Sequence, residues 1–105
     1  MNMSCDNTIE AILKSTTKLK FPFGANEFTK RCVLHNAKKE IDDKLVALVA
    51  DEMLFEKKKE ELWIRACNGA CEEFESLPSK LRLNSFYFQE VMHRYVELMK
   101  ATFEL

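Results

Sequence analysis

The residues with the clearest potential for chemistry are two cysteine-containing pairs, Cys32-x-x-His35 and Cys67-x-x-x-Cys71. Each pair has a spacing that places both side chains on one face of a helix. Three cysteine sulfurs and one histidine nitrogen form a ligand set that suits zinc. Whether they bind a metal depends on whether the fold brings the two pairs to the same height.

The expected position of the chain reversal argues against a shared metal. If the chain turns in the charged run near Lys58, His35 and Cys67 are offset by roughly 20 Å along the helix axes, at 1.5 Å per residue. The pairs could meet only if the chain reversed near Asp51, where we identify no signal for a break. We therefore predict no metal site, and cysteines that pack as small buried apolar side chains.

Nucleophilic catalysis has one candidate pair, because Cys32 and His35 are neighbours on one helical turn. Nothing in the sequence supplies a third group to orient the histidine, nor an oxyanion site. His93 falls on the polar arc of the last helix and is predicted to be a solvated surface residue. No catalytic residue is assigned, and we expect a non-enzymatic protein.

Adjacent carboxylates occur at Asp42-Asp43 and at Glu72-Glu73. Neighbouring side chains on a helix diverge, so neither pair can converge on a substrate. Lys38 and Lys39 stand one turn before the aspartates, which predicts salt bridges on a solvated surface.

The elements that must position these residues are helices. Residues 25–68 contain neither glycine nor proline, the two residue types that most strongly interrupt a helix. We predict one domain over 1–105, an all-α antiparallel four-helix bundle with a long second helix. The predicted helices span about 7–20, 27–56, 60–77 and 85–104.

Local signals set these boundaries. Asn7 and Glu10 have capping-box spacing for the first helix, and Asn26 is a favourable N-cap for the second. The charged run 56–61 is predicted to be the turn between the second and third helices. Asn68-Gly69 is expected on the outer face of a continuing third helix. Two short alternating stretches, 19–21 and 81–83, could pair as a ribbon, but we expect no sheet.

Charge disfavours nucleic acid as a partner. The chain has 16 basic and 17 acidic residues and a formal net charge of −1, whereas nucleic-acid binders usually carry a basic excess. A modest basic corner could form from Lys14, Lys18, Lys20 and Lys30-Arg31, without helix-turn-helix spacing or interleaved aromatics.

Hydropathy gives no indication of a membrane or of secretion. The longest apolar run, residues 45–50, is far shorter than the ~20 residues a membrane helix needs, and the first residues lack a signal-peptide pattern. We expect an intracellular protein, cytoplasmic or nuclear, with reduced cysteines and no cofactor.

The remaining feature is a surplus of apolar surface. The final helix is apolar over about 180°, more than the roughly 100–140° a bundle helix needs to reach its core. We therefore expect part of this surface to bind another helical protein or a second copy of the chain. The predicted interface residues are Leu54, Phe55, Phe88, Met92, Met99 and Phe103.

Other interpretations remain open. A skewed bundle with the second helix at its centre could bury the whole surplus within one chain. A ligand-binding or sensory bundle could hold an apolar molecule or haem in its core, with His35 as the axial ligand. A small nucleic-acid-associated regulator is a third possibility. The favoured function is a protein–protein interaction module, acting as a subunit or adaptor of a larger assembly.

Overall fold

The structure, a computed structural model, describes residues 3–16, 26–75 and 84–105. In this part the chain forms α1 (Met3–Thr16), α2 (Glu27–Leu45), α3 (Glu52–Glu75) and α4 (Asn84–Phe103). One turn of 3-10 helix, Val46–Leu48, follows α2. The predicted all-α, four-helix architecture is confirmed. The two stretches considered for a ribbon, 19–21 and 81–83, lie outside the described residues.

Helix α4 is the centre of the bundle, because it contacts α1, α2 and α3. Its wide apolar arc is therefore used inside the chain, which corrects the interpretation that places the second helix at the centre. A helix with three neighbours needs a broader apolar face than a helix with one or two. Six of its side chains are fully buried: Phe88, Val91, Met92, Tyr95, Val96 and Met99.

The second helix is shorter than predicted, since α2 ends at Leu45 and the chain reverses over Val49–Asp51. Val49 has extended backbone (φ −94°, ψ 126°). Asp51 then caps α3, because its Oδ1 atom accepts the backbone N–H of Leu54 at 3.0 Å. The predicted helix over 27–56 was wrong, and Asp51 followed by Glu52 was the overlooked start signal.

The break lies within an apolar run, residues 45–50. Leu45 and Val49, on either side of the 3-10 turn, are buried in the core together with Phe55 of α3. Ala47 and Ala50 are exposed. The charged run 56–61 was predicted to be a turn, but it lies within α3.

The first helix also differs at its start. Helix α1 begins at Met3, so Asn7 lies inside the helix and does not cap it. The inner face of α1 packs into the core through Ile9 and Ile12, which are both buried. The predicted cap of the second helix is confirmed, since the Asn26 side chain accepts the N–H of Thr29 at 2.9 Å. The predicted ends at 20 and 77 lie outside the described residues.

Candidate functional site

A polar network crosses the bundle and joins three helices. The Tyr95 hydroxyl on α4 donates to Oδ1 of Asp42 on α2. Lys38 Nζ donates to the other carboxylate oxygen of Asp42 at 2.9 Å. The same ammonium lies 2.7 Å from Oε1 of Glu60 on α3. These contacts connect α2 to α3 through an ion pair and to α4 through the Tyr95–Asp42 hydrogen bond.

The Lys38–Asp42 pair follows from its i,i+4 spacing on α2. The sequence predicted such a pair on a solvated surface. The predicted surface location was wrong, because Lys38 and Asp42 are each only 8% exposed. The pair shares its side of α2 with Ala37 and Ile41, which are buried in the core. Spacing along one helix therefore identified the ion pair, but its burial depends on the position of α4.

The surroundings of Tyr95 favour its neutral form. Burial raises the pKa of the phenol first of all, and its hydrogen bond to Asp42 and the nearby carboxylates raise it further. Trp63 packs edge-on against the Tyr95 ring, with centroids 4.9 Å apart. The Tyr95 side chain is thus held by Asp42 at its hydroxyl and by Trp63 at its ring. At neutral pH this tyrosine is a hydrogen-bond donor and not a base.

Lys38 stays charged although it is buried. Desolvation by burial lowers its pKa, but hydrogen bonds to Glu60 and Asp42, and the negative charges of both, outweigh that effect and raise the pKa above 10.5. Its ammonium also lies 6.0 Å from the centroid of the Tyr95 ring. One cation therefore stands between two carboxylates. That arrangement fits a structural cross-link between helices.

A cleft of about 280 Å³ lies beside this network, between α2 and α3. Its walls carry both signs of charge, so it has no single field to attract a charged ligand. Lys38 and Asp42 are already paired with each other and with groups inside the bundle. The lining residues are His35, Lys38, Lys39, Asp42, Asp43, Lys59 and Glu60.

The network and Cys67 predict that the fold loses stability at high pH. Burial raises the pKa of the Cys67 thiol from 9.0 to about 11, with a further coulombic contribution from the neighbouring Cys71. The pKa values of Tyr95 and Lys38 are raised as well. A group with a raised folded pKa stabilises the fold fully below its unfolded pKa. That contribution is lost as the pH rises through the folded value.

We therefore expect the free energy of unfolding to be level near pH 8 and to fall from pH 9 to 11. Urea titrations at one-unit steps measure it. Tyr95→Phe removes one of the groups, so its stability is expected to fall less steeply above pH 10. A wild-type curve that stays flat to pH 11 would contradict the burial of these groups.

The cysteines are more exposed than predicted. Of the three cysteines whose side chains the structure describes, Cys32 and Cys71 are exposed, and Cys67 is half-buried against the hydrophobic core. No disulfide joins these three cysteines, and the Cys5 side chain lies outside the described set. A raised pKa keeps Cys67 a thiol at neutral pH, which is the opposite of what a nucleophile needs.

The structure removes one of the reasons for predicting no metal site. The chain reverses near Asp51, so the offset expected between His35 and Cys67 no longer applies. Even so, no group of three or more His, Cys, Asp or Glu side chains is arranged to hold a metal ion within 3–16, 26–75 and 84–105. His35 is exposed on α2, so it is not placed to ligate a haem in the core.

The third helix continues through Asn68-Gly69, as predicted, but Gly69 does not lie on the outer face. A Cβ atom at Gly69 would lie 2.9 Å from Nη1 of Arg94 on α4. The lack of a side chain lets the guanidinium cross α3 and pair with Glu73, while Nε contacts Glu90 at 2.9 Å. The contact with Glu73 joins α4 to the C-terminal part of α3, whereas the contact with Glu90 lies within α4.

The predicted partner interface is mostly interior. Phe55, Phe88, Met92 and Met99 are buried in the chain's own core, so predicting them as an outward surface was wrong. The reason is the position of α4, whose broad apolar face is covered by three helices. Phe103 is half-buried, with its ring centroid 6.2 Å from that of Phe55. Leu54 is 39% exposed and is the one predicted residue that remains on the surface.

Two further apolar residues of α3, which the predicted interface did not include, are exposed. Met53 is 85% exposed and Ile64 is 55% exposed, both on the outer side of α3. They are 11 residues apart, which places them about 20° from each other around a helix. That Met53 and Ile64 lie on the same side of α3 could have been found from the sequence once the start of α3 was known. Phe28 on α2 is a further exposed apolar residue.

Comparison with known proteins adds no family to this description. No protein-family model, no curated protein and no solved structure matches the chain. Within the described residues, no helix is both long enough and apolar enough to cross a membrane.

Proposed function

We propose that this chain is a non-enzymatic helical interaction module, a subunit or adaptor of a larger assembly that binds another helical protein or a second copy of itself. The observation that carries the proposal is the exposure of Met53 and Ile64 on the outer side of α3, with Leu54 partly exposed next to Met53. Adaptable apolar side chains on a rigid helix are characteristic of helix-recognition surfaces.

The polar groups of the bundle support the same view. Lys38, Asp42, Glu60 and Tyr95 satisfy one another, and no buried side-chain nitrogen or oxygen of the described residues lacks a hydrogen-bond partner. Catalytic acids and bases instead need a pKa near the working pH and an open path to the substrate. The pKa values of Tyr95 and Cys67 are raised, which moves them further from neutral pH than the ordinary values of a phenol and a thiol.

The test is the elution of the tagged chain in extract of the cells that produce it. The wild-type chain is expected to elute well above the mass of a single chain. Met53→Asp/Ile64→Asp is expected to shift most of it to the single-chain position, because two charges then face the apolar partner. Mass spectrometry of the wild-type fraction identifies the companion.

Phe28→Asp is the matched control, since Phe28 is also an exposed apolar residue but lies on α2. It is expected to elute with the wild type. Far-UV circular dichroism checks that all three proteins are equally helical. Elution of the wild-type chain at the mass of one chain in every extract, and also as concentrated purified protein, would contradict the proposed function.

A further inference from the structure

The outer side of α3 carries four exposed side chains with a regular spacing. Met53, Lys57, Glu60 and Ile64 follow one another at intervals of four, three and four residues. At 100° per residue they lie within an arc of about 60°, and the spacing is that of a coiled-coil seam. This set of four residues is called the α3 stripe below.

The α3 stripe is complementary to itself when the helix is reversed. Its order is apolar, basic, acidic, apolar, with the midpoint between Lys58 and Lys59. A second copy related by a twofold axis through that midpoint would place Met53 against Ile64 of the other copy. The same operation would place Lys57 against Glu60, twice, because a twofold interface repeats each contact.

We propose that the α3 stripe is the docking site for a second copy of this chain, packed antiparallel. This proposal rests on the proposed function and names the partner. The charges of the α3 stripe favour a second copy of the chain as the occupant, and they favour an antiparallel direction for it. A parallel pair would bring Lys57 against Lys57 and Glu60 against Glu60, and such like-charge contacts oppose association.

The charged residues of the α3 stripe are available for these contacts. Lys58 and Lys59 pair with Glu61 and Glu56 on their own helix, whereas Lys57 has no ion-pair partner among the described residues. Glu60 uses Oε1 for Lys38, but its side chain is 65% exposed. Its second carboxylate oxygen can therefore accept Lys57 of the other copy without breaking the internal network.

The size of the α3 stripe predicts a weak dimer. Stable interfaces bury roughly 800 Å² on each partner, and four residues on one helix cover much less. The association is therefore expected to depend on concentration. Higher salt is expected to weaken its two ion pairs, which lie at the protein surface.

Disulfide trapping tests both the contact and its direction. The four native cysteines are replaced first, and Met53→Cys and Ile64→Cys are then made as separate proteins. Mixed under mild oxidation, they are expected to form the 53–64 disulfide dimer at ten or more times the yield of either protein alone. In the antiparallel pair, two Met53 positions are about 16 Å apart along the axis, too far for a disulfide.

Charge variants give an independent measurement on the chain with its native cysteines. Lys57→Glu is expected to weaken self-association in sedimentation equilibrium at least fivefold, because it places carboxylates opposite Glu60 of the other copy. Lys44→Glu, the same charge change on the exposed side of α2, is the control and is expected to match the wild type. Circular dichroism confirms equal folding.

The outcomes separate this inference from the proposed function. Equal yields in all three disulfide reactions, or a higher yield for Met53→Cys alone, would overturn the antiparallel dimer. If the purified chain is monomeric but the Met53→Asp/Ile64→Asp variant loses a different protein in extract, the dimer is wrong and the proposed function stands. If the chain is monomeric in both settings, both proposals fail.

Discussion

Replacing Phe55 by alanine is expected to lower the free energy of unfolding by about 3–5 kcal/mol. The side chain is only 1% exposed and packs near Phe103 at the end of the bundle. Truncating a buried phenylalanine removes its transfer free energy and leaves a cavity, and both effects destabilise the fold. Domains of this size have a total stability of about 5–15 kcal/mol, so a large part of it would be lost.

Urea denaturation followed by circular dichroism measures the effect, and Met53→Ala is the matched control. Met53 lies two residues earlier on the same helix but faces solvent, so its truncation is expected to change stability by less than about 0.5 kcal/mol. A result near zero for Phe55→Ala would mean that this ring lines an outer surface, as the sequence suggested. The pair of variants therefore decides between core and interface at this position.

Replacing Asp42 by alanine is expected to cost about 3 kcal/mol of stability. The substitution leaves the buried Lys38 ammonium with Glu60 as its only acidic partner and removes the acceptor of the Tyr95 hydroxyl. Removing one member of a buried ion pair is costly because the other charge remains out of water. The remaining contact with Glu60 keeps the expected loss at the lower end of the usual range.

Asp43→Ala serves as the control for Asp42→Ala, because Asp43 is the exposed neighbour on the same helix. Its effect is expected to stay within about 0.5 kcal/mol. Tyr95→Phe removes only the hydroxyl and is expected to cost about 1–2 kcal/mol. If Asp42→Ala were no more destabilising than Asp43→Ala, the network would not contribute to the stability of the bundle.

The position of the chain reversal shows how one missed cap altered several predictions. The absence of glycine and proline correctly indicated helix over most of residues 26–68, but it does not locate a break between helices. Asp51 is a recognisable N-cap, but the charged run 56–61 is the more polar segment and predicted the turn in its place. The charges instead occupy the solvent side of α3, where ion pairs such as Lys59–Glu56 at 2.8 Å form within the helix.

At the candidate sites, contacts within one helix could be predicted from the sequence, whereas contacts between distant segments could not. Spacing along one helix was enough to pair Lys38 with Asp42. Their burial beneath Tyr95 depends on a residue 53 positions away, and no periodicity within α2 contains that contact. The predicted interface failed for the same reason, since the width of an apolar face does not tell whether its neighbours belong to the same chain.

The sequence by itself determined the all-α class, the number of helices, the Asn26 cap and the Lys38–Asp42 pair. Each of these follows from interactions within one or two helical turns, which residue type and spacing control directly. Only the tertiary structure decided that α4 is the central helix, that Phe55, Phe88, Met92 and Met99 are interior, and that the outer side of α3 remains open. These features depend on packing between distant segments, where burial of the whole apolar surface determines which faces meet.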